Sequence, residues 1–242
     1  MEALVTQQLP TQEVSHEAKK PKVLKTWGNQ QTMNLNPLIH SNIVQSHYWK
    51  VDLKEITSWQ QTVDEIYNCV THLEPWERGS RVKGMSTGGG VRGVGVKGIV
   101  STAFTLMYKL FTIKMTRNQL HALLDHPDSP YIRGVGFLFI RYCIPPEEQW
   151  DWVSPYLADD FDIDCKAGGG EVITIGQMVE IFFTKLDWYD TKFPRFPVLV
   201  QKNIEKNLKL WIQENRPAKP SKSESEDKES GENLRIREKD SK

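Results

Sequence analysis

The sequence predicts an all-α protein in which residues 29–212 form a single multi-helix domain. Two observations lead to this prediction. Apolar residues recur at helical spacing in successive segments. Three of these segments open with a capping box, in which Ser58, Thr116 and Thr174 are each followed three residues later by glutamine. We therefore expect a helical domain with a glycine-rich basic loop, room for one small β-hairpin, and a disordered tail at each end.

Each predicted helix carries an apolar stripe, in which apolar residues recur at helical spacing. The stripes are Leu38, Ile39, Ile43 and Val44; Val63, Ile66, Tyr67 and Val70; Leu120, Leu123 and Leu124; Trp150, Trp152, Val153 and Leu157; Met178, Val179, Phe182, Phe183 and Leu186; and Val200, Ile204, Leu208 and Trp211. The last stripe lies on a predicted helix over 198–211. A small hairpin is predicted across the glycines at 168–170.

Two helix starts combine a cap with proline at the first helical position. Asn36 precedes Pro37, and Ser129 precedes Pro130. The second start opens a helix over 131–142 that is apolar on nearly every side. Because such a helix is usually buried on all faces, we predict that it forms the centre of the domain.

Arg133 and Arg141 are the two charged residues of this central helix, and we consider whether they pair with an acidic turn at residues 158–164. The turn carries Asp159, Asp160, Asp162 and Asp164. It is a candidate docking surface for basic residues, with a solvated loop as the plainer alternative. A calcium site is disfavoured, because the sixth and twelfth positions counted from Asp159 are aspartate and glycine, where an EF-hand requires glycine and glutamate.

The glycine-rich segment is the most unusual part of the sequence. Eight of the 16 glycines fall between Gly79 and Gly98, just before an apolar helical pattern that starts at Ile99. Glycine permits positive φ and close backbone approach, so this composition favours a loop. The candidate partner- or RNA-binding residues in and beside it are Trp76, Arg78, Arg81, Lys83, Arg92 and Lys97. Alternatives are a plain solvated loop and, for Trp76, ordinary packing.

A nucleotide site is disfavoured, although residues 93–98 match G-x-G-x-x-G. That motif requires a preceding strand and an acidic ribose ligand about twenty residues further on. The residues before the motif are mostly glycine and polar, and the downstream region holds Arg117, Asn118 and Gln119. A P-loop is also disfavoured, because no Gly-Lys pair is followed by serine or threonine at the required spacing. We expect no cofactor.

Composition excludes several other classes of function. The formal net charge is zero, so any nucleic-acid binding must come from a local patch. The three cysteines and six histidines are scattered and form no zinc motif. The odd number and wide spacing of the cysteines favour a reducing compartment. Apolar runs are too short to cross a bilayer. We therefore expect no metal, no membrane contact and no small-molecule substrate.

Both ends of the sequence are predicted to be disordered. Residues 1–28 are polar and aperiodic, and they contain Lys19-Lys20-Pro21-Lys22, which resembles a nuclear import signal. Residues 213–242 are almost wholly charged and small, which leaves too little apolar surface for a core. Their serines lie beside acidic residues, so phosphorylation there is a hypothesis.

Several long motifs occur together in a familiar order. They are MNLNPLI, THLEPWERGSR, GGVRGVGVKGIVSTAF, LMYKLF, DHPDSPYIRGVGFLFIRY and KAGGGEVITIGQMVEIFFTKLDW. In these motifs the sequence resembles the pre-mRNA-splicing factor 38 family, and within it the B-type branch. The resemblance extends from Trp27 to about Leu210. It departs at the C-terminal tail, where glutamate, lysine and serine replace the Arg-Ser repeats of many relatives.

The resemblance implies a nuclear, non-enzymatic protein that joins the spliceosome around its activation. It also implies a role as a docking scaffold for other spliceosomal proteins. The A-type relatives bind a zinc-finger factor and a helical protein of the microfibrillar-associated type. RNA contact through the basic glycine-rich loop is the alternative function, because such a loop can follow a phosphate backbone and an aromatic side chain can stack on an unpaired base.

Overall fold

The computed structural model describes residues 23–80 and 98–215. Within these ranges the chain is mostly helical, as predicted, with two small antiparallel hairpins. The helices are α1 (Pro37–Gln45), α2 (His47–Lys50), α3 (Trp59–Cys69), α4 (Thr102–Ile113), α5 (Arg117–Leu124), α6 (Pro130–Cys143), α7 (Pro146–Val153), α8 (Ile175–Thr184) and α9 (Val198–Asn215), and the strands are β1 (Asp162–Asp164), β2 (Val172–Thr174), β3 (Asp187–Trp188) and β4 (Thr191–Lys192).

The predicted caps determine where the helices begin. The capping boxes at Ser58, Thr116 and Thr174 are present, with the hydroxyl and the glutamine side chain each bonded to backbone N–H groups. Asn36 and Ser129 cap α1 and α6 ahead of their prolines. Each cap satisfies amides that would otherwise lack a partner in the first turn of the helix.

The start of α4 differs from the prediction. The apolar spacing placed Ile99 and Val100 on this helix, but the helix begins at Thr102 with Ser101 as its cap. Val100 instead forms an antiparallel β-bridge with Trp76, and the Ile99 side chain is 66% exposed. The spacing was misleading because these two residues belong to an extended segment.

Helix α6 is the centre of the domain, which confirms the prediction. Every residue from Ile132 to Cys143 is buried, and α6 packs against α3, α4, α5, α7 and α8. Gly134 allows Leu73 to approach α6, since a Cβ atom at this position would lie 2.4 Å from Leu73 Cδ1. Nε of Arg141 donates to the carbonyl oxygen of Phe182 at 2.9 Å, which ties α6 to α8.

The first hairpin is the predicted one. β1 pairs antiparallel with β2 in the register Asp162–Thr174, Ile163–Ile173 and Asp164–Val172. Residues 168–170 form the glycine-rich turn between the strands, where all three glycines have positive φ. The second hairpin, β3 with β4, was not predicted, because each of its strands is only two residues long.

Backbone groups of Leu73 join distant parts of the chain. Its N–H donates to the carbonyl oxygen of Cys165 at 3.0 Å. Its carbonyl oxygen accepts a hydrogen bond from Nε1 of Trp188 at 2.8 Å, across a separation of 115 residues. Leu73 therefore connects the end of α3 to both hairpins.

The N-terminal segment from Val23 is hydrogen-bonded to the helical domain. Val23 forms a bridge with Thr116, and Leu24 N–H donates to Met115 O at 2.8 Å. Trp27 N–H donates to Cys143 O at 2.7 Å. Residues 23–28 thus differ from the disordered arm expected over 1–28. The Lys19–Lys22 cluster lies outside the described residues.

Among the described residues two compact units are distinguished, one ending at Arg195 and one beginning at Phe196. The second unit contributes α9, which runs four residues beyond its predicted end at Trp211. No helix in the described ranges has the length and apolar content needed to cross a membrane.

Candidate partner-binding surface

The two described ends of the glycine-rich segment are held side by side. Glu77 N–H donates to Ile99 O at 2.8 Å, and Ser101 N–H donates to Pro75 O at 3.0 Å. Between these bonds lies the bridge from Trp76 to Val100. The bonds fix the backbone on either side of residues 81–97, which themselves lie outside the described ranges.

The Glu77 side chain joins the two paired ends of the glycine-rich segment to the start of α4. Its Oε1 accepts a hydrogen bond from Thr102 N–H at 3.2 Å, and its Oε2 lies 3.3 Å from Nε2 of the buried His72. The hydrogen bond with His72 holds the pKa of the Glu77 carboxyl below its usual range, with partial burial opposing it and the Thr102 amide adding to it. The carboxylate is therefore charged at neutral pH, next to the positive end of the α4 dipole.

The turn between β1 and β2 packs against the same place. The amide of Ala167 donates to Glu74 Oε1 at 3.1 Å. The Arg78 side chain lies over Gly168, where an added Cβ would come within 2.6 Å of Arg78 Cδ, Nε and Nη1. A Cβ at this position would push the end of the arginine side chain aside, so Gly168 permits the place that Arg78 occupies.

These contacts surround a small cavity of about 180 Å³. Its charged lining residues are Glu74, Glu77, Arg78, Lys166 and Asp190, which we call the loop-base surface. Three carboxylates and two cations therefore face one opening. Such a mixture can bind a partner that presents charges of both signs.

The predicted basic site is only partly within the described ranges. Arg78 is exposed at the loop-base surface, while Arg81, Lys83, Arg92 and Lys97 lie outside the described residues. Trp76 lines the cavity but is only 4% exposed, so its ring is packed within the domain. Lys166 is the cation that sequence reasoning missed. It lies two residues before the glycines at 168–170, but it is 88 positions from Arg78 along the sequence, so no local pattern links the two residues.

The four aspartates of the acidic turn have different surroundings. Asp159 forms an ion pair with Arg133 of α6. Asp164 accepts hydrogen bonds from the amides of Gly170, Lys166 and Glu171 at 2.7, 3.1 and 3.3 Å, which hold the glycine turn in place. Asp160 and Asp162 are exposed and remain candidates for docking. In the described part of the chain, no group of three or more metal-binding side chains is found.

A second surface, which sequence reasoning missed, is a groove of about 620 Å³ between the N-terminal segment and α4. Its lining residues are Val23, Leu24, Thr26, Gln30, Gln31, Tyr108, Phe111, Thr112, Lys114, Met115 and Phe139. Tyr108 O–H donates to Gln31 O at 2.7 Å, and Nε2 of His40 lies 3.0 Å from the same hydroxyl. The groove exists because residues 23–31 pack on the helices.

The sequence profile of the PRP38 family matches residues 24–206, which include all the residues that line these two surfaces except Val23. The chain belongs to the PRP38 family. Human pre-mRNA-splicing factor 38B is 55% identical over 210 residues, which are 86% of this chain and 38% of that protein. The Danio rerio protein of the same name is 53% identical over 81% of this chain and 39% of its own length. The predicted family and B-type branch are thus confirmed.

Two more distant comparisons cover much of the same chain. The Arabidopsis thaliana pre-mRNA splicing factor SR-like 1 is 40% identical over 78% of this chain and 43% of its own length. This chain therefore spans about two fifths of the length of these three relatives. A chain of the crystal structure of the Snu23–Prp38–MFAP1(217–258) complex of Chaetomium thermophilum has the same fold, with a TM-score of 0.59 and 18% identity, covering 88% of this chain and 98% of that one.

Proposed function

We propose that this chain is a non-enzymatic pre-mRNA splicing factor of the nucleus, acting as a protein-docking scaffold in the spliceosome around its activation. Membership of the PRP38 family supports the splicing role. The names of the relatives, which are pre-mRNA splicing factors from vertebrates and a plant, support it as well. Splicing takes place in the nucleus, so the proposed role includes nuclear localisation.

The mixed charge of the loop-base surface is the observation that favours protein docking over RNA contact. Arg78 and Lys166 share the cavity with Glu74, Glu77 and Asp190. A nucleic-acid backbone carries only negative charge, so those carboxylates would repel it. A protein partner can place cations opposite the carboxylates and carboxylates opposite Arg78 and Lys166.

The proposed partners are spliceosomal proteins of the zinc-finger or helical type. The similar solved chain belongs to a complex that contains Snu23 and segment 217–258 of MFAP1. The counterparts of these two proteins are therefore the first to test. Asp160 and Asp162, exposed on the acidic turn, form the second proposed contact for a basic segment of such a partner.

Titration calorimetry of the full chain with a Snu23 counterpart and with the MFAP1 segment tests this proposal. The double variant Arg78→Glu and Lys166→Glu should weaken at least one of the two interactions about tenfold or more, which corresponds to about 1.4 kcal/mol. The matched control variant, Lys50→Glu with Lys54→Glu, reverses the charge of two lysines that are exposed in a different part of the fold. It should leave both affinities unchanged.

A uridine-rich single-stranded RNA serves as the second probe. If Arg78→Glu with Lys166→Glu abolishes salt-dependent RNA binding and leaves both protein affinities intact, the RNA-contacting alternative replaces the docking role. If neither protein binds the native chain, the proposed partners are wrong.

A further inference from the structure

Helix α9 carries an exposed stripe of lysines. Lys202, Lys206 and Lys209 are separated by four and three residues, which places them on one face of the helix. All three side chains are exposed. Together with Glu205, Leu210 and Gln213 they line a shallow groove of about 290 Å³. We call these three residues the lysine stripe.

The groove holds three lysines and one carboxylate, Glu205, so its positive charge is only partly balanced within the described residues. No ion pair there includes any of the three lysines. Glu205, the carboxylate in the groove, accepts a hydrogen bond from Gln201 Nε2 at 2.9 Å. Lys202 and Lys206 lie four residues apart, where like charges repel and lower helix stability. An anionic segment laid along this face would relieve that repulsion.

We propose that the acidic segment at residues 223–232 of this chain docks on the lysine stripe. Its sequence is SESEDKESGE, in which five acidic side chains and one lysine give a net charge of −4. Leu210, 46% exposed at the edge of the groove, offers an apolar contact beside the charges. The surface and its occupant are thus complementary in charge and close together in sequence.

The residues that connect α9 to the acidic segment are numerous enough for the segment to reach back to the lysine stripe. From Asn215, the last described residue, the centre of the stripe at Lys206 lies about 14 Å back along the helix, at 1.5 Å per residue. The eight residues from Asn215 to Ser223 can span about 27 Å when extended. Pro217 and Pro220 lie in this connection, and proline disfavours continuation of the helix. The acidic segment can therefore lie antiparallel to α9 along the whole stripe.

Tethering favours this segment over a separate acidic peptide. A short flexible connection gives an effective concentration in the millimolar range. Pairs between exposed lysines and carboxylates contribute only about 0.2–1 kcal/mol each, so the docked form exchanges with the free form, and tethering raises its population above that of a separate peptide at micromolar concentration. Serines 223 and 225 lie within the segment, so added negative charge there should tighten docking further.

Carbodiimide coupling of the full chain, followed by mass spectrometry, tests the proposal. The reagent joins a lysine amine directly to a carboxylate that contacts it. The lysine stripe should couple to Glu224, Glu226, Asp227 or Glu229 at least about tenfold more often than the exposed Lys50 and Lys54 do, because the tether concentrates the segment at the stripe. Coupling should be independent of protein concentration. It should fall severalfold at about 1 M salt, where the screening length is about 3 Å.

Protease cleavage after glutamate provides a second measurement that does not depend on coupling chemistry. Replacing all three lysines of the stripe by glutamine keeps good helix formers in place, which circular dichroism will verify. Cleavage at Glu224 to Glu229 should then become severalfold faster than in the native chain. The control variant Lys50→Gln with Lys54→Gln should cleave at the native rate, and Ser223→Glu with Ser225→Glu should slow cleavage at the original sites.

Two results would overturn the proposal. In the first, coupling is spread evenly over exposed lysines and cleavage is the same in all variants. In the second, the glutamine variant loses binding to a uridine-rich RNA while cleavage of the tail is unchanged, which would assign the stripe to RNA.

Discussion

The guanidinium group of Arg133 forms an ion pair with the carboxylate of Asp159, so the central helix α6 is joined to the acidic turn. Nε of Arg133 also donates to Leu124 O at 2.7 Å. The two charged side chains are only 9% and 20% exposed. Removing one member of such a pair leaves the other charge poorly solvated and without its partner.

Replacing Arg133 by leucine should therefore lower the free energy of unfolding by about 3 kcal/mol or more. Urea denaturation followed by circular dichroism measures the change. The exposed Arg195→Leu serves as the matched control and should stay within about 0.5 kcal/mol of the native protein. Combining Arg133→Leu with Asp159→Asn should recover part of the loss. A cost for Arg133→Leu as small as that of the control would mean that the pair does not stabilise the fold.

Glu77→Gln should destabilise the protein by about 1 kcal/mol at neutral pH, because the carboxylate caps the start of α4 and binds His72. The pKa of Glu77 is lowered in the folded state from its usual 4.5. Its stabilising contribution is thus present above that value and is lost as pH falls through the folded pKa.

The difference in free energy of unfolding between the native protein and Glu77→Gln should accordingly become smaller as the pH is lowered from neutral to below 4.5. Thermal unfolding at several pH values tests this. Asp151→Asn, at an exposed position of α7, controls for the general effect of removing a carboxylate. A difference that stays constant with pH would contradict the role of Glu77.

Gly168→Ala and Gly170→Ala should separate backbone strain from the placement of Arg78. Both glycines have positive φ, at 92° and 96°, so alanine should cost similar stability at each, about 1 kcal/mol. A Cβ at Gly168 would displace the Arg78 side chain, whereas one at Gly170 would meet nothing within 4 Å. Partner affinity, measured by calorimetry, should therefore fall for Gly168→Ala alone. Equal affinities would show that Arg78 does not need this position.

The three cysteines should differ sharply in reactivity. Cys69 is exposed, whereas Cys143 and Cys165 are buried. A disulfide reagent should therefore modify one thiol in the folded protein and three after unfolding. Partial burial raises the pKa of Cys69, and the hydrogen bond to Glu65 raises it further. Glu65→Gln should consequently speed modification of Cys69 severalfold near pH 8, because the thiolate is the reactive form. No acceleration would mean that Glu65 does not influence the thiol.

Local sequence patterns predicted the helices well because caps and apolar spacing act over a few residues. Ser58, Thr116 and Thr174 start helices where their capping boxes stand. The almost uncharged segment of α6 is buried on every side, as its composition required. The start of α4 was misplaced at Ile99. The helix begins at Thr102, because Val100 pairs with Trp76 in an extended segment instead of joining the helix.

The candidate surface could be predicted only in part, because it is made by contacts between distant segments. Arg78 stands out beside the glycines, but its neighbour Gly168 belongs to a hairpin 90 positions away. Lys166 stands beside the glycines at 168–170, but nothing near it or near Asp190 in the sequence links either residue to Arg78. Both line the cavity only because the bonds of Leu73 bring the two hairpins to the end of α3.

Those bonds of Leu73 also have a consequence for how the protein folds. The hydrogen bond from Trp188 closes a span of 115 residues, and Asn34 Nδ2 bonds to Tyr142 O across 108. Chains rich in such distant contacts fold more slowly than bundles held by local ones. During synthesis, the hydrogen bond between Trp188 and the Leu73 carbonyl oxygen can form only after Trp188 has left the ribosome. A nascent chain should therefore depend most on chaperones while only its N-terminal half has been synthesised.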